Sequence, residues 1–228
     1  MKLSEKLFLH LPLPLSKWVY NISRHYIFRD VRLPGFRKAV ALINEKNVKG
    51  DYLEFGVYKG ASLIRFYNLF KEYDLTDIRL FAFDAFKGLP NSEGSVFREG
   101  EFFFPKGPFI KRIKKAGVNP ERVIIVEGFF NESLTDTIKN VNNLSKAAII
   151  HVDCDLYEST VDVLRFCQDL IQEGTILIFD DYLSFRSETD PTQYGEEKAF
   201  KEWKLYPLFE ELYTIVPSRA FVCRSLNN

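Results

Sequence analysis

Five short apolar runs, separated by stretches with helical spacing, constrain this chain more than any other feature. They fall at residues 52–55, 79–83, 122–126, 148–152 and 175–179, each of strand length and most of them rich in β-branched or aromatic side chains. Helical periodicity fills the intervals at 60–72, 109–116, 134–141 and 159–173, with Gly174 placed to cap the last helix. A further helix is expected at 33–47, and after the fifth run come a helix at 196–204 and closing strands at 208–216 and 220–224. Strands alternating with helices predict an α/β fold, a doubly wound and mostly parallel seven-stranded sheet with right-handed crossovers. Residues 1–48 are expected to form an N-terminal helical arm or lid, and 49–228 the main domain.

In such a sheet, ligands bind beyond the carboxyl ends of the strands, near the switch in strand order. Gly56, Asp84, Gly128, Asp153 and Asp180 all follow predicted strands, so one rim should carry them all. The stretch Glu54-Phe55-Gly56-Val57-Tyr58-Lys59-Gly60 supplies a glycine turn before a helix, where backbone N–H groups can face a ligand. It lacks a complete G-x-G-x-x-G, which argues against a dinucleotide and ranks a nicotinamide-dependent oxidoreductase last. Asp84 stands where an acid can accept both hydroxyls of a ribose, and Phe129 and Phe130 after Gly128 could flank a purine.

The acids Asp153 and Asp155, then Asp180 and Asp181, end two strands joined by one crossover helix, so they should converge. Gathered carboxylates are costly unless a positive charge sits between them. An all-oxygen set with no His or Cys pattern suits Mg²⁺, Mn²⁺ or Ca²⁺ better than zinc. His151, inside the fourth run, reads as a core histidine.

Charge and cysteine usage narrow the remaining classes. The 31 basic and 31 acidic residues cancel, which argues against a nucleic-acid partner. Cys154, Cys167 and Cys223 show no disulfide or zinc spacing, as expected of reduced thiols in the cytoplasm. Pro12 and Pro14 interrupt the apolar opening stretch, so neither a membrane span nor a secretory signal is expected there. Its apolar residues suit packing within a homo-oligomer.

The ordered motifs E-F-G-V-Y-K-G, F-D-A-F-K-G-L-P, E-G-F-F-N-E-S-L, V-D-C-D-L-Y-E-S-T, F-D-D-Y and G-E-E-K-A-F-K-E-W closely resemble the macrocin O-methyltransferase family from about Gly50 onward. The resemblance implies a class I fold, S-adenosylmethionine as cofactor, Mg²⁺ or another divalent cation, and methylation of a sugar hydroxyl on a small-molecule or glycan acceptor. It implies that Glu54, Gly56, Tyr58, Gly60 and Ser62 line the methionine end of the cofactor, Asp84 the ribose, and Gly128 with Phe129 the adenine. Asp180 and Asp181 match the metal pair. The third metal carboxylate is Asp153 or Asp155, with Asp153 nearer the strand end, and the other of the two could serve as base. Alternatives are a catechol-like acceptor, or a non-catalytic cofactor-binding partner subunit.

Overall fold

Alternation along each central strand sends successive side chains to opposite faces, and here both faces are apolar. The computed structural model describes residues 31–92, 97–184 and 195–225. Its elements run α1 (Leu33–Glu45), β1 (Asp51–Phe55), α2 (Ala61–Glu72), β2 (Leu80–Asp84), α3 (Lys106–Lys115), β3 (Val123–Glu127), α4 (Phe130–Ser133), α5 (Asp136–Val141), β4 (Ala147–Val152), α6 (Tyr157–Cys167), β5 (Ile176–Phe179), α7 (Gly195–Glu202), β6 (Phe209–Ile215) and β7 (Ser218–Cys223). Residues 1–30 of the expected arm, and all of the polar stretch 184–194 except Ser184, lie outside the described residues.

The sheet order is β3-β2-β1-β4-β5-β7-β6. Strands β1 to β5 pair in parallel, while β7 runs antiparallel to both β5 and β6. One face sends Tyr52, Leu80, Ala82, Ile149, Ile176 and Ile178 against α1, α2 and α3. The other sends Leu53, Phe55, Phe83, Ile150, Val152, Leu177 and Phe179 against α6 and α7. Order reverses between β1 and β4, so the switch-point crevice opens between the ends of those two strands.

Helix α1 starts with Pro34 in its first turn, where the missing N–H costs nothing. Its buried Phe36, Ala39, Val40 and Ile43 recur at i, i+3, i+4 and i+7 and enter the first core. Gly35 lies so close to β6 that a Cβ there would sit 2.6 Å from the Tyr213 ring. The boundary expected at residue 48 therefore does not separate an arm from the domain, because 33–45 is part of the domain's core.

Two helices differ from expectation. The helix expected at 159–173 ends at Cys167; a 3₁₀ turn, Gln168–Leu170, follows, and Ile171 is extended. Adjacent Leu170 and Ile171 are both buried in the second core. Gly174, at φ +85°, caps no helix and instead packs on Val48, donating its N–H to Cys223 O. The helix expected at 134–141 starts only at Asp136, after extended Thr135, and the short α4 stands ahead of it as a separate turn.

Candidate active site

The loop after β1 is shaped by one contact that only glycine permits. Gly56 has φ +88°, and a Cβ on it would lie 1.9 Å from Asp153 O, at the end of the adjacent strand. Asp84, ending β2, holds the same loop from the other side. Its Oδ2 accepts from the N–H groups of Val57 at 2.9 Å and Tyr58 at 3.0 Å, and its Oδ1 from Phe86 N–H at 2.6 Å. Burial pushes the Asp84 carboxyl up from its ordinary value, against the pull of those three N–H groups.

A cleft runs along this rim. Gly56, Tyr58, Asp84, Gly128, Phe129, Asp153 and Asp155 all line it, together with Phe102, Asn131, Glu158 and Asp162. Among the described residues, its wall carries five acids, Asp84, Asp153, Asp155, Glu158 and Asp162, and no Lys, Arg or His. Gly128 is required at its position, since φ is +145° and a Cβ would meet Ser133 Cβ at 2.9 Å. Phe129 is the extended residue that opens α4.

Glu54, Gly60 and Ser62 are not part of that wall. Glu54 is fully buried on the α2 side of the sheet, where its carboxylate accepts from the hydroxyls of Ser62 and Tyr52. Gly60, in the left-handed region, opens α2 and leaves no room for a side chain beside Phe109. Glu54 and Ser62 thus brace the first turn of α2 from within.

The acidic convergence is present. One carboxylate oxygen from each of Asp153, Asp180 and Asp181 lies within 4.8 Å of the others. Strand register explains it: Val152 pairs with Phe179, so Asp153 and Asp180 leave neighbouring strands side by side. Asp155 is outside this group; it is buried on the cleft wall, with φ +61°. The donor set fits a hard divalent cation, with remaining positions left to water or a ligand.

Three partners of this cluster escaped the sequence reading. Arg32, just ahead of α1, makes a buried ion pair with Asp180 Oδ2. His151 Nε2 lies 3.5 Å from Asp180 Oδ1, a little beyond hydrogen-bond length. Burial works against the His151 imidazolium, but the Asp180 and Glu54 carboxylates outweigh it and hold the group above its ordinary value. Glu196 of α7 is buried, and its Oε2 accepts from Asp181 N–H at 2.8 Å. Burial, then the carboxylates of Asp181 and Asp180, push Glu196 well above the usual carboxylate range. The one sequence signal for Glu196 is its place in the motif G-E-E-K-A-F-K-E-W; Arg32 stands 148 residues from its partner and gave none.

The sheet order with its antiparallel β7, the glycine turn after β1 and the acid ending β2 define a class I methyltransferase fold. Within that class, the chain belongs to the macrocin O-methyltransferase family, whose profile matches residues 24–202. Demethyldecarbamoylnovobiocin O-methyltransferase of Streptomyces niveus is 26% identical over 171 residues, covering 71% of this chain and 63% of its own length. A second relative, the 8-demethyl-8-(2,3-dimethoxy-alpha-L-rhamnosyl)-tetracenomycin-C 4'-O-methyltransferase of Streptomyces olivaceus, is 27% identical over 161 residues, covering 66% of this chain and 60% of its own. The crystal structure of the calicheamicin methyltransferase CalS11 superposes with a TM-score of 0.72 at 23% identity, covering 98% of this chain and 90% of that one. The match to the two sequence relatives thus spans under two thirds of their lengths. Among the described residues, no helix is long and apolar enough to cross a membrane.

Proposed function

We propose that this protein transfers a methyl group from S-adenosylmethionine to a hydroxyl of a sugar or glycosylated acceptor, with Mg²⁺ or a similar cation held by Asp153, Asp180 and Asp181. The observation that carries this is the meeting of those three carboxylates beside a cleft of methyltransferase form. The acid-lined wall suits a ligand bearing a sulfonium and an ammonium. In this reading Asp84 takes the ribose and Phe129 with Gly128 borders the adenine ring, which their presence on the cleft wall supports. The sugar acceptor is supported by relatives whose names describe antibiotic acceptors, one of them rhamnosyl-bearing.

A sulfonium methyl needs no activation, whereas an alcohol is a poor nucleophile until it loses its proton. A divalent cation would lower the pKa of a chelated hydroxyl and fix its direction. In this reading Asp155 takes that proton, which its position on the cleft wall and outside the three-carboxylate group supports. Rigid β-strand ends hold the carboxylates, so the acceptor oxygen can be aimed at the methyl carbon in line with sulfur.

Calorimetric titration with S-adenosylmethionine, in Mg²⁺ and in chelator, tests the cofactor; a labelled-methyl assay over sugars, glycosides and catechols tests the acceptor. Binding in both conditions, with Mg²⁺-dependent transfer to a sugar hydroxyl, is expected. Absence of cofactor binding, or full activity in Asp180→Ala, would overturn the assignment, while transfer to catechols alone would replace the sugar.

A further inference from the structure

A chain of polar side chains crosses the aromatic core behind the acidic cluster. Tyr52, Glu54 and His151 are all fully buried. The same face carries Leu80, Ala82, Ile149, Ile176 and Ile178, and apolar residues would fill these positions without the cost of desolvation. The His151 ring is boxed by Phe36 at 5.5 Å and Phe66 at 5.9 Å between centroids.

The contacts run in one direction. Glu54 accepts the hydroxyl proton of Tyr52 at 2.5 Å, which leaves the Tyr52 oxygen to accept from His151 Nδ1 at 3.2 Å. Tyr52 and Glu54 share a face because they are two apart on β1, and Glu54 sits in register with His151 on β4. With Nδ1 turned to Tyr52, Nε2 lies on the Asp180 side of the ring, 3.5 Å from Oδ1. At the far end Glu54 accepts from Ser62 in the first turn of α2.

We propose that His151, braced by Tyr52 and Glu54, is a positioning residue that fixes the orientation of Asp180 as a metal ligand. The inference rests on the metal assignment made above. The ring itself reaches no cleft surface; it acts by limiting how far the Asp180 carboxylate can turn. A lone carboxylate at a strand end can rotate about its last bond, and each ligand that must be immobilised on binding weakens the site. Partners behind metal ligands typically contribute 10–100-fold in affinity.

The test is Mn²⁺ binding, read by electron paramagnetic resonance on the full-length protein, beside S-adenosylhomocysteine binding by calorimetry. Tyr52→Phe removes one oxygen and keeps the ring that packs on Phe66, so the core is preserved. It should weaken Mn²⁺ about tenfold and leave S-adenosylhomocysteine within about twofold. His151→Leu should lose as much or more, and His151→Gln, whose amide can still donate towards Asp180, should recover part of the loss. Mn²⁺ binding unchanged in Tyr52→Phe would overturn the brace. Equal losses for metal and S-adenosylhomocysteine would also overturn it, by showing a structural role only. Wild-type protein that binds no Mn²⁺ would refute the metal assignment itself, and the brace with it.

Discussion

Replacing Arg32 with Met probes the electrostatics of the cluster most directly. Arg32 and Asp180 form an ion pair with side chains only 9% and 6% exposed. Removing one partner of a buried pair leaves an uncompensated charge and costs about 3–5 kcal/mol. The cationic tendency of His151 offsets part of this, which favours the lower end, about 3 kcal/mol. For a chain of this size, 1 kcal/mol moves Tm by about 2–4 °C, so in chelator the variant should melt about 6–12 °C lower. A divalent cation held as proposed would supply the charge that Arg32 supplied, and on the same carboxylate. In saturating Mg²⁺ the loss should therefore shrink. If it shrinks by about 1.4 kcal/mol, linkage requires that Mg²⁺ bind the variant about tenfold more tightly, which calorimetry can check independently. Urea denaturation in chelator and in Mg²⁺ provides the stabilities. An equal loss in both conditions, or weaker Mg²⁺ binding by the variant, would refute the view that Arg32 and the metal neutralise the same charge. Arg32 occupies an oxygen of Asp180, whereas His151 sets that carboxylate's orientation, so the two substitutions should move metal affinity in opposite directions.

Gly56→Ala should cost several kcal/mol and abolish cofactor binding, because the new Cβ would fall 1.9 Å from Asp153 O at a φ of +88°; a Tm within a few degrees of wild type would contradict the geometry. Asp181→Asn should lower Mg²⁺ affinity at least tenfold while S-adenosylmethionine still binds, as measured by calorimetry. Glu196→Gln keeps an acceptor for Asp181 N–H and should fold normally. Its pH behaviour should differ: Glu196 is raised in the folded state, so the native protein holds an extra proton above the unfolded value of about 4.3. Wild-type stability in chelator should fall, relative to Glu196→Gln, as pH rises above about 4.3, and parallel pH dependences of the two proteins in urea would show the assignment to be wrong.

Much of the sheet was legible because β1, β4 and β5 are buried along their whole length and their runs are continuous. The meeting of Asp153, Asp180 and Asp181 was also legible, since acids directly after neighbouring parallel strands must leave the sheet together. What escaped depends on register and on distant chain segments. Glu54 looks like part of the cofactor loop in sequence, yet alternation turns it inward to Tyr52 and Ser62. Nothing in the run around Asp84 announces that three loop N–H groups share its oxygens, so that it also shapes the turn after β1. The end of α6 was misplaced because Gly174 imitates a cap, while burial of Leu170 and Ile171 together decides where the helix stops.

The five acids of the cleft, with no basic side chain among the described residues of its wall, bear on how a turnover would end. Under the proposed reaction, the methyl donor would enter with a positive sulfonium and leave with that sulfur as a neutral thioether. Attraction to the wall is therefore greatest before transfer and drops at the moment the methyl group departs. Exchange of spent donor for fresh would then be favoured by the reaction itself, which removes one of the two positive charges the wall attracts.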